Sequence, residues 1–142
     1  MMKIVFESSM MIPPIAKALS ILTYDARICL DDIQYAAADG TVELLIRRKE
    51  LKGFRKSFLG MMQPVYGQTM IDTVLTIRQV VEMNIQVDDR LVTKCNSCFT
   101  ALFGLKVDGD QLYLGSVEEA QGKTLCQVFI KVKGINIECV DR

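Results

Sequence analysis

Ile71 to Val87 alternates for seventeen residues, and this run constrains the fold more than any other. Odd positions read Ile71, Thr73, Leu75, Ile77, Gln79, Val81, Met83, Ile85 and Val87. Even positions include Asp72, Thr76, Arg78, Glu82, Asn84 and Gln86. Period two sends the two sets to opposite faces of a pleated strand. A helix through Ile71, Val74, Leu75, Arg78 and Val81 wets Ile77 and buries Arg78. The run is longer than an ordinary strand. It predicts one long bent strand, or two strands kinked near Gln79.

Further strand signals flank it. Asp39-Gly40 suits a tight turn that needs positive φ. A two-residue loop there sets Ile33, Tyr35 and Ala37 opposite Ile46, Leu44 and Val42 on one apolar face. Asp32, Gln34, Glu43 and Arg47 fall on the other, as a half-buried hairpin requires. A second hairpin centres on Asp108-Gly109, joining Phe103, Leu105 and Val107 to Leu112 and Leu114. A third runs from Leu125 to Val140 and turns near Lys133-Gly134. At the start, Lys3 to Phe6 reads as a short strand. Ile15, Leu19 and Leu22 then fall at helical spacing after Pro13-Pro14, predicting one short helix over about 14–23. The stretch 49–69, with Gly53, Gly60, Gly67 and Pro64, reads as a long irregular loop, a type that is often functional.

These elements predict a mainly β chain with a minor α+β character. The architecture expected is an antiparallel β-sandwich or β-barrel with one short N-terminal helix, in a single domain over 1–142. Half of the residues are apolar, enough for a sizeable core. No apolar run approaches the ~20 residues needed to span a bilayer, and no membrane partner is expected.

The chain has no histidine. That removes the commonest general base at neutral pH, along with Ser-His-Asp triads and His-containing zinc sites. A non-catalytic protein is therefore expected, with no catalytic residues assigned.

Charge is unevenly placed. Residues 47–56 hold six of the seventeen basic residues and one acid, a net +5 in an otherwise net −5 chain. Arg47, Arg48, Lys49, Lys52, Arg55 and Lys56 are candidate anion-binding residues, because Arg and Lys grip phosphate or carboxylate. Phe54 and Tyr66, with Phe58, supply rings on which a base can stack. The plainer reading of the same run is a solvated strand end. The partners this chemistry admits are an anionic small molecule or nucleotide, a protein, or a second copy of the chain; nucleic acid ranks lower. The eight methionines cluster at the start and around 61–70, and read first as core filler.

Five cysteines is an odd number. Glu7 and Pro13-Pro14 interrupt any secretory apolar stretch, so a cytoplasmic protein with reduced thiols is expected. Cys95 and Cys98 form a CxxC. With Cys126 and Cys139, which a hairpin at 133–134 would place as diagonal neighbours, they make a candidate four-thiolate zinc site. The simpler expectation is four packed thiols and no cofactor. The working expectation is a small binding module acting through the basic loop 47–67. The alternatives are a homo-oligomeric structural domain and a thiol-based metal or redox protein using the Cys95/Cys98 pair.

Overall fold

The computed structural model describes residues 2–8, 13–87, 98–101, 104–118 and 123–142. It contains strands β1 (Lys3–Ser8), β2 (Ala26–Ala36), β3 (Thr41–Lys56), β4 (Met62–Ile77), β5 (Val80–Val87), β6 (Cys98–Ala101), β7 (Lys106–Asp108), β8 (Gln111–Glu118), β9 (Lys123–Val132) and β10 (Ile135–Asp141). The helix α1 spans Pro13–Leu22. The fold is mainly β, and every strand pairing is antiparallel. One sheet has the order β1-β10-β4-β3-β2-β6, and the other β5-β9-β8-β7. Neither closes into a barrel. Among the described residues, no helix is long and apolar enough to cross a membrane.

The alternating run behaves as its period demands. Thr73, Leu75 and Ile77 point into the core, and then the chain turns at Gln79, whose φ is 60°. Val80 begins β5 in the other sheet. The third expected hairpin does the same thing. Lys133-Gly134 carries the chain from β9 in the small sheet to β10 in the large one, so the two strands do not pair with each other. The two crossings lie side by side: Arg78 N–H donates to the Asn136 carbonyl (2.8 Å), and Lys133 N–H donates to that of Gln79 (2.9 Å). β4 pairs with β10 before this corner and β5 pairs with β9 after it. One long antiparallel pair is thus bent across both sheets.

The two DG turns differ in detail from expectation. Ile33 pairs with Leu44 and Tyr35 with Val42, so the first loop has four residues, 37–40. Only Gly40 there has positive φ, at 61°. A Cβ on Gly40 would sit 3.0 Å from the Val80 carbonyl oxygen, because Val80 N–H donates to the Gly40 carbonyl at the sheet corner. At the second turn Val107 pairs with Leu112, so the loop is Gly109-Asp110. Both registers slip by two residues, an even number, so Ile33, Tyr35, Val42, Leu44 and Ile46, and Val107, Leu112 and Leu114, keep their expected face, whereas Ala37 falls in the first loop and Phe103 lies outside the described residues.

Both sheets feed one core, which includes Ile28, Val42, Leu44, Ile46, Leu75 and Ile77 from the large sheet and Leu112, Leu114, Val128 and Ile130 from the small one. Helix α1 adds Leu19 and Leu22. Its C-terminus is fixed by Thr23. That hydroxyl donates to the Leu19 carbonyl (2.6 Å) and accepts from Leu105 N–H (2.7 Å). Gly104, at φ 69°, permits the approach: a Cβ there would lie 2.8 Å from the Ser20 carbonyl oxygen.

Candidate functional site

The stretch expected to be a loop is instead the outer half of a β-ribbon. β2 pairs with β3 only between Thr41 and Arg47, and β10 pairs with β4 only between Thr73 and Ile77. Past those points, among the described residues, β3 and β4 pair only with each other, from Arg48↔Ile71 out to Lys56↔Met62. The ribbon runs about 25 Å beyond the sheet, at ~3.3 Å per residue. Register shifts between Lys49 and Gly53 bend it. The turn at its tip is closed by Ser57, whose N–H donates to the Met61 carbonyl (2.8 Å) and whose Oγ accepts from Met61 N–H (3.2 Å). Glycines and Pro64 broke the alternation that marks a strand; pairing across the hairpin restored it.

The base of this arm is braced. Tyr66 was a candidate stacking platform for a ligand. Its hydroxyl instead donates to the Ile21 carbonyl at the end of α1 (2.6 Å), and its ring stacks on Tyr24 with centroids 5.5 Å apart. Burial, and then the neighbouring Tyr24, raise the pKa of that hydroxyl. Tyr66 holds the arm to the body.

The six basic residues separate into two groups. Arg48 is only 2% exposed. Its Nε donates to Thr73 Oγ1 (2.8 Å), and its Nη2 donates to both Asp141 carboxylate oxygens (2.9 and 3.0 Å). Thr73 Oγ1 donates to the same carboxylate (2.8 Å). Burial pushes the Asp141 carboxyl up, but the hydrogen bonds from Arg48 and Thr73 and the Arg48 charge outweigh it, and its pKa is lowered. Arg48 is therefore a structural residue, not an exposed ligand for anions. Arg47 meets Asp72 (3.5 Å), Lys49 meets Asp25 (2.9 Å) and Lys52 meets Glu50 (3.3 Å). The hydrogen bond that Lys49 donates to Asp25, and the Asp25 charge, raise the Lys49 pKa. Arg55 and Lys56 are exposed, with no acidic partner among the described residues. The net +5 window thus presents two uncompensated cations, both next to the tip. Three of the four acids that neutralise the rest lie outside the window, where sequence proximity gives no hint of them.

The tip itself is apolar. Phe58 is 97% exposed and Leu59 72%, with Met61, Met62 and Phe54 also exposed. Met70, farther down the arm, is exposed too, so the methionines of 61–70 expected in the core are at the surface. Sequence reasoning named Phe54 and Phe58 as rings open to a ligand, but it missed Leu59 and the methionines displayed beside them. The signal was present as the uncharged run from Ser57 to Ile71 that follows the basic window.

The cysteines are not gathered. Cys98 is bonded to Cys29, its cross-strand partner on β2. Cys95 lies outside the described residues. Cys126 sits on β9, between Val87 and Ser116, whereas Cys139 sits on β10, between Ile4 and Leu75. They occupy different sheets, because 133–134 is a crossing and not a hairpin. Burial pushes the Cys126 thiol up to about 11 and that of Cys139 up to about 12, against thiolate formation. With Cys98 in a disulfide, the four-thiolate set does not assemble. The reduced-thiol premise does not hold for Cys29 and Cys98. Among the described residues, no group of three or more His, Cys, Asp or Glu side chains could hold a metal ion.

No protein-family model, curated protein or solved structure matches the chain. Its site is read from its own chemistry.

Proposed function

We propose that the protein is a non-catalytic binding module whose working surface is the outer part of the β3–β4 arm, with Arg55 and Lys56 contacting an anionic group on its partner. The observation that supports this reading is the charge pairing along the arm. Acids compensate the cations at its base, and the two nearest the tip have no acidic partner among the described residues. Two cations on a narrow ribbon form no enclosed anion pocket. That favours a partner with an extended anionic surface over a small free anion. The apolar tip beside them needs the same kind of extended partner, since exposed apolar clusters of this sort mark interaction sites.

Retention on a phosphocellulose column tests the reading. Wild type is expected to be retained and to elute with rising salt. The variant Arg55→Ala/Lys56→Ala is expected to elute clearly earlier, and Arg47→Ala to elute close to wild type, because Asp72 already compensates that charge. Equal elution of wild type and the double variant overturns the proposal.

A further inference from the structure

The nature of the partner follows from the shape and composition of the arm, and the inference rests on the binding-module reading above. From Arg48 to Ile71 the arm carries five basic residues and one acid, Glu50, and is net +4. Twelve basic and sixteen acidic residues lie elsewhere, so the rest of the chain is net −4. A negatively charged surface attracts the arm and repels the body, which orients the molecule tip first.

The tip is convex. Phe58, Leu59, Met61 and Met62 stand on a five-residue turn, 57–61, and the first residue after it, at the end of a free ribbon. A folded protein can cover such a knob only with a matching cavity. A fluid apolar layer covers it without one. Interfacial apolar groups sink about 5–10 Å, to the boundary between headgroups and acyl chains. Arg55 lies three residues from Phe58, no more than about 10 Å along an extended chain. When the apolar side chains reach the acyl boundary, both free cations stand at the depth of the headgroup phosphates. We infer that the arm docks on an anionic lipid bilayer, with the Phe58-Leu59 and Met61-Met62 side chains inserted and Arg55 and Lys56 on the phosphates. This surface contact revises the expectation of no membrane partner, and it needs no membrane-spanning helix, of which the described residues contain none.

Co-sedimentation with vesicles tests the inference. One set is phosphatidylcholine alone; the other is three parts phosphatidylcholine to one part phosphatidylglycerol. Wild type is expected to pellet with the anionic set and to stay in solution with the neutral one. Arg55→Ala/Lys56→Ala is expected to weaken partitioning roughly tenfold to thirtyfold, from the loss of two charges near the surface. Phe58→Ser/Leu59→Ser is expected to weaken it by a similar factor, and the loss is to persist when salt screens the cations. These side chains are exposed, so the variants should melt like wild type, and a thermal melt checks that they do. Three outcomes overturn the inference. In the first, wild type fails to pellet with anionic vesicles. In the second, pelleting is lost with the cations but unchanged in Phe58→Ser/Leu59→Ser, which means adsorption by charge alone. In the third, the protein self-associates through the tip and ignores vesicles, which assigns the tip to a second copy of the chain. If vesicles fail but phosphocellulose retention still depends on Arg55 and Lys56, the lipid falls and the binding module stands. If both fail, both readings fall.

Discussion

Arg48→Ala is expected to lower the stability of the fold by about 3–5 kcal/mol, the usual cost of leaving one member of a buried ion pair alone. Asp141 accepts two hydrogen bonds from Arg48 and one from Thr73, inside the large sheet where β1, β10, β4 and β3 meet. Removing the guanidinium strands that carboxylate. Urea unfolding at neutral pH measures the loss as a fall in midpoint. Arg48→Met/Asp141→Leu should recover most of it, since both charges then leave together. Acid offers a second measure. The folded-state pKa of Asp141 is lowered. Its contribution is thus complete above the pKa of the unfolded chain and disappears as pH falls through the folded value. Wild type should lose this stability on acidification, and Asp141→Asn should lack that part of the pH dependence. An unchanged midpoint in Arg48→Ala contradicts the assignment.

Cys29→Ser/Cys98→Ser is expected to cost about 4 kcal/mol, the chain-entropy value for a bond closing a loop of the observed length. The two cysteines are separated by 69 positions in sequence and joined between β2 and the edge strand β6. The expectation differs from that for unpaired packed thiols, where removing Cys95 and Cys98 changes stability by no more than ~1 kcal/mol. Wild type unfolded in urea with reductant should fall to the level of the double variant, which itself should ignore reductant. A reductant-independent midpoint in wild type contradicts the bond.

What the sequence made legible is what depends on neighbours along the chain. Period-two alternation identified the faces of β2, β3, the inner half of β4, β7 and β8, and even slips in register preserved them. The kink at Gln79 was legible because an alternation of that length has to break somewhere. The helix announced itself through Pro13-Pro14 and the spacing of Ile15, Leu19 and Leu22. What stayed hidden depends on partners far away. A turn at Lys133-Gly134 looks the same locally whether it returns within one sheet or crosses to another; β1 and β4 decide. The outer arm read as a loop because each of its strands, alone, lacks alternation. The basic window was visible, yet its effective charge was not, because Asp25, Asp72 and Asp141 neutralise it from other strands and loops. Cys29 was counted but not paired with Cys98, because cross-strand register is a property of the folded sheet.

The most direct test of the account is backbone hydrogen exchange of the intact protein, with and without phosphatidylglycerol-containing vesicles. Free, the arm between Gly53 and Val65 should exchange fast, since among the described residues its ladder has no neighbouring strand to shield it. Added vesicles should slow exchange there and leave the two sheets unchanged. Protection spread over the sheets, or none on the arm, contradicts the claim that this ribbon is the surface through which the protein works.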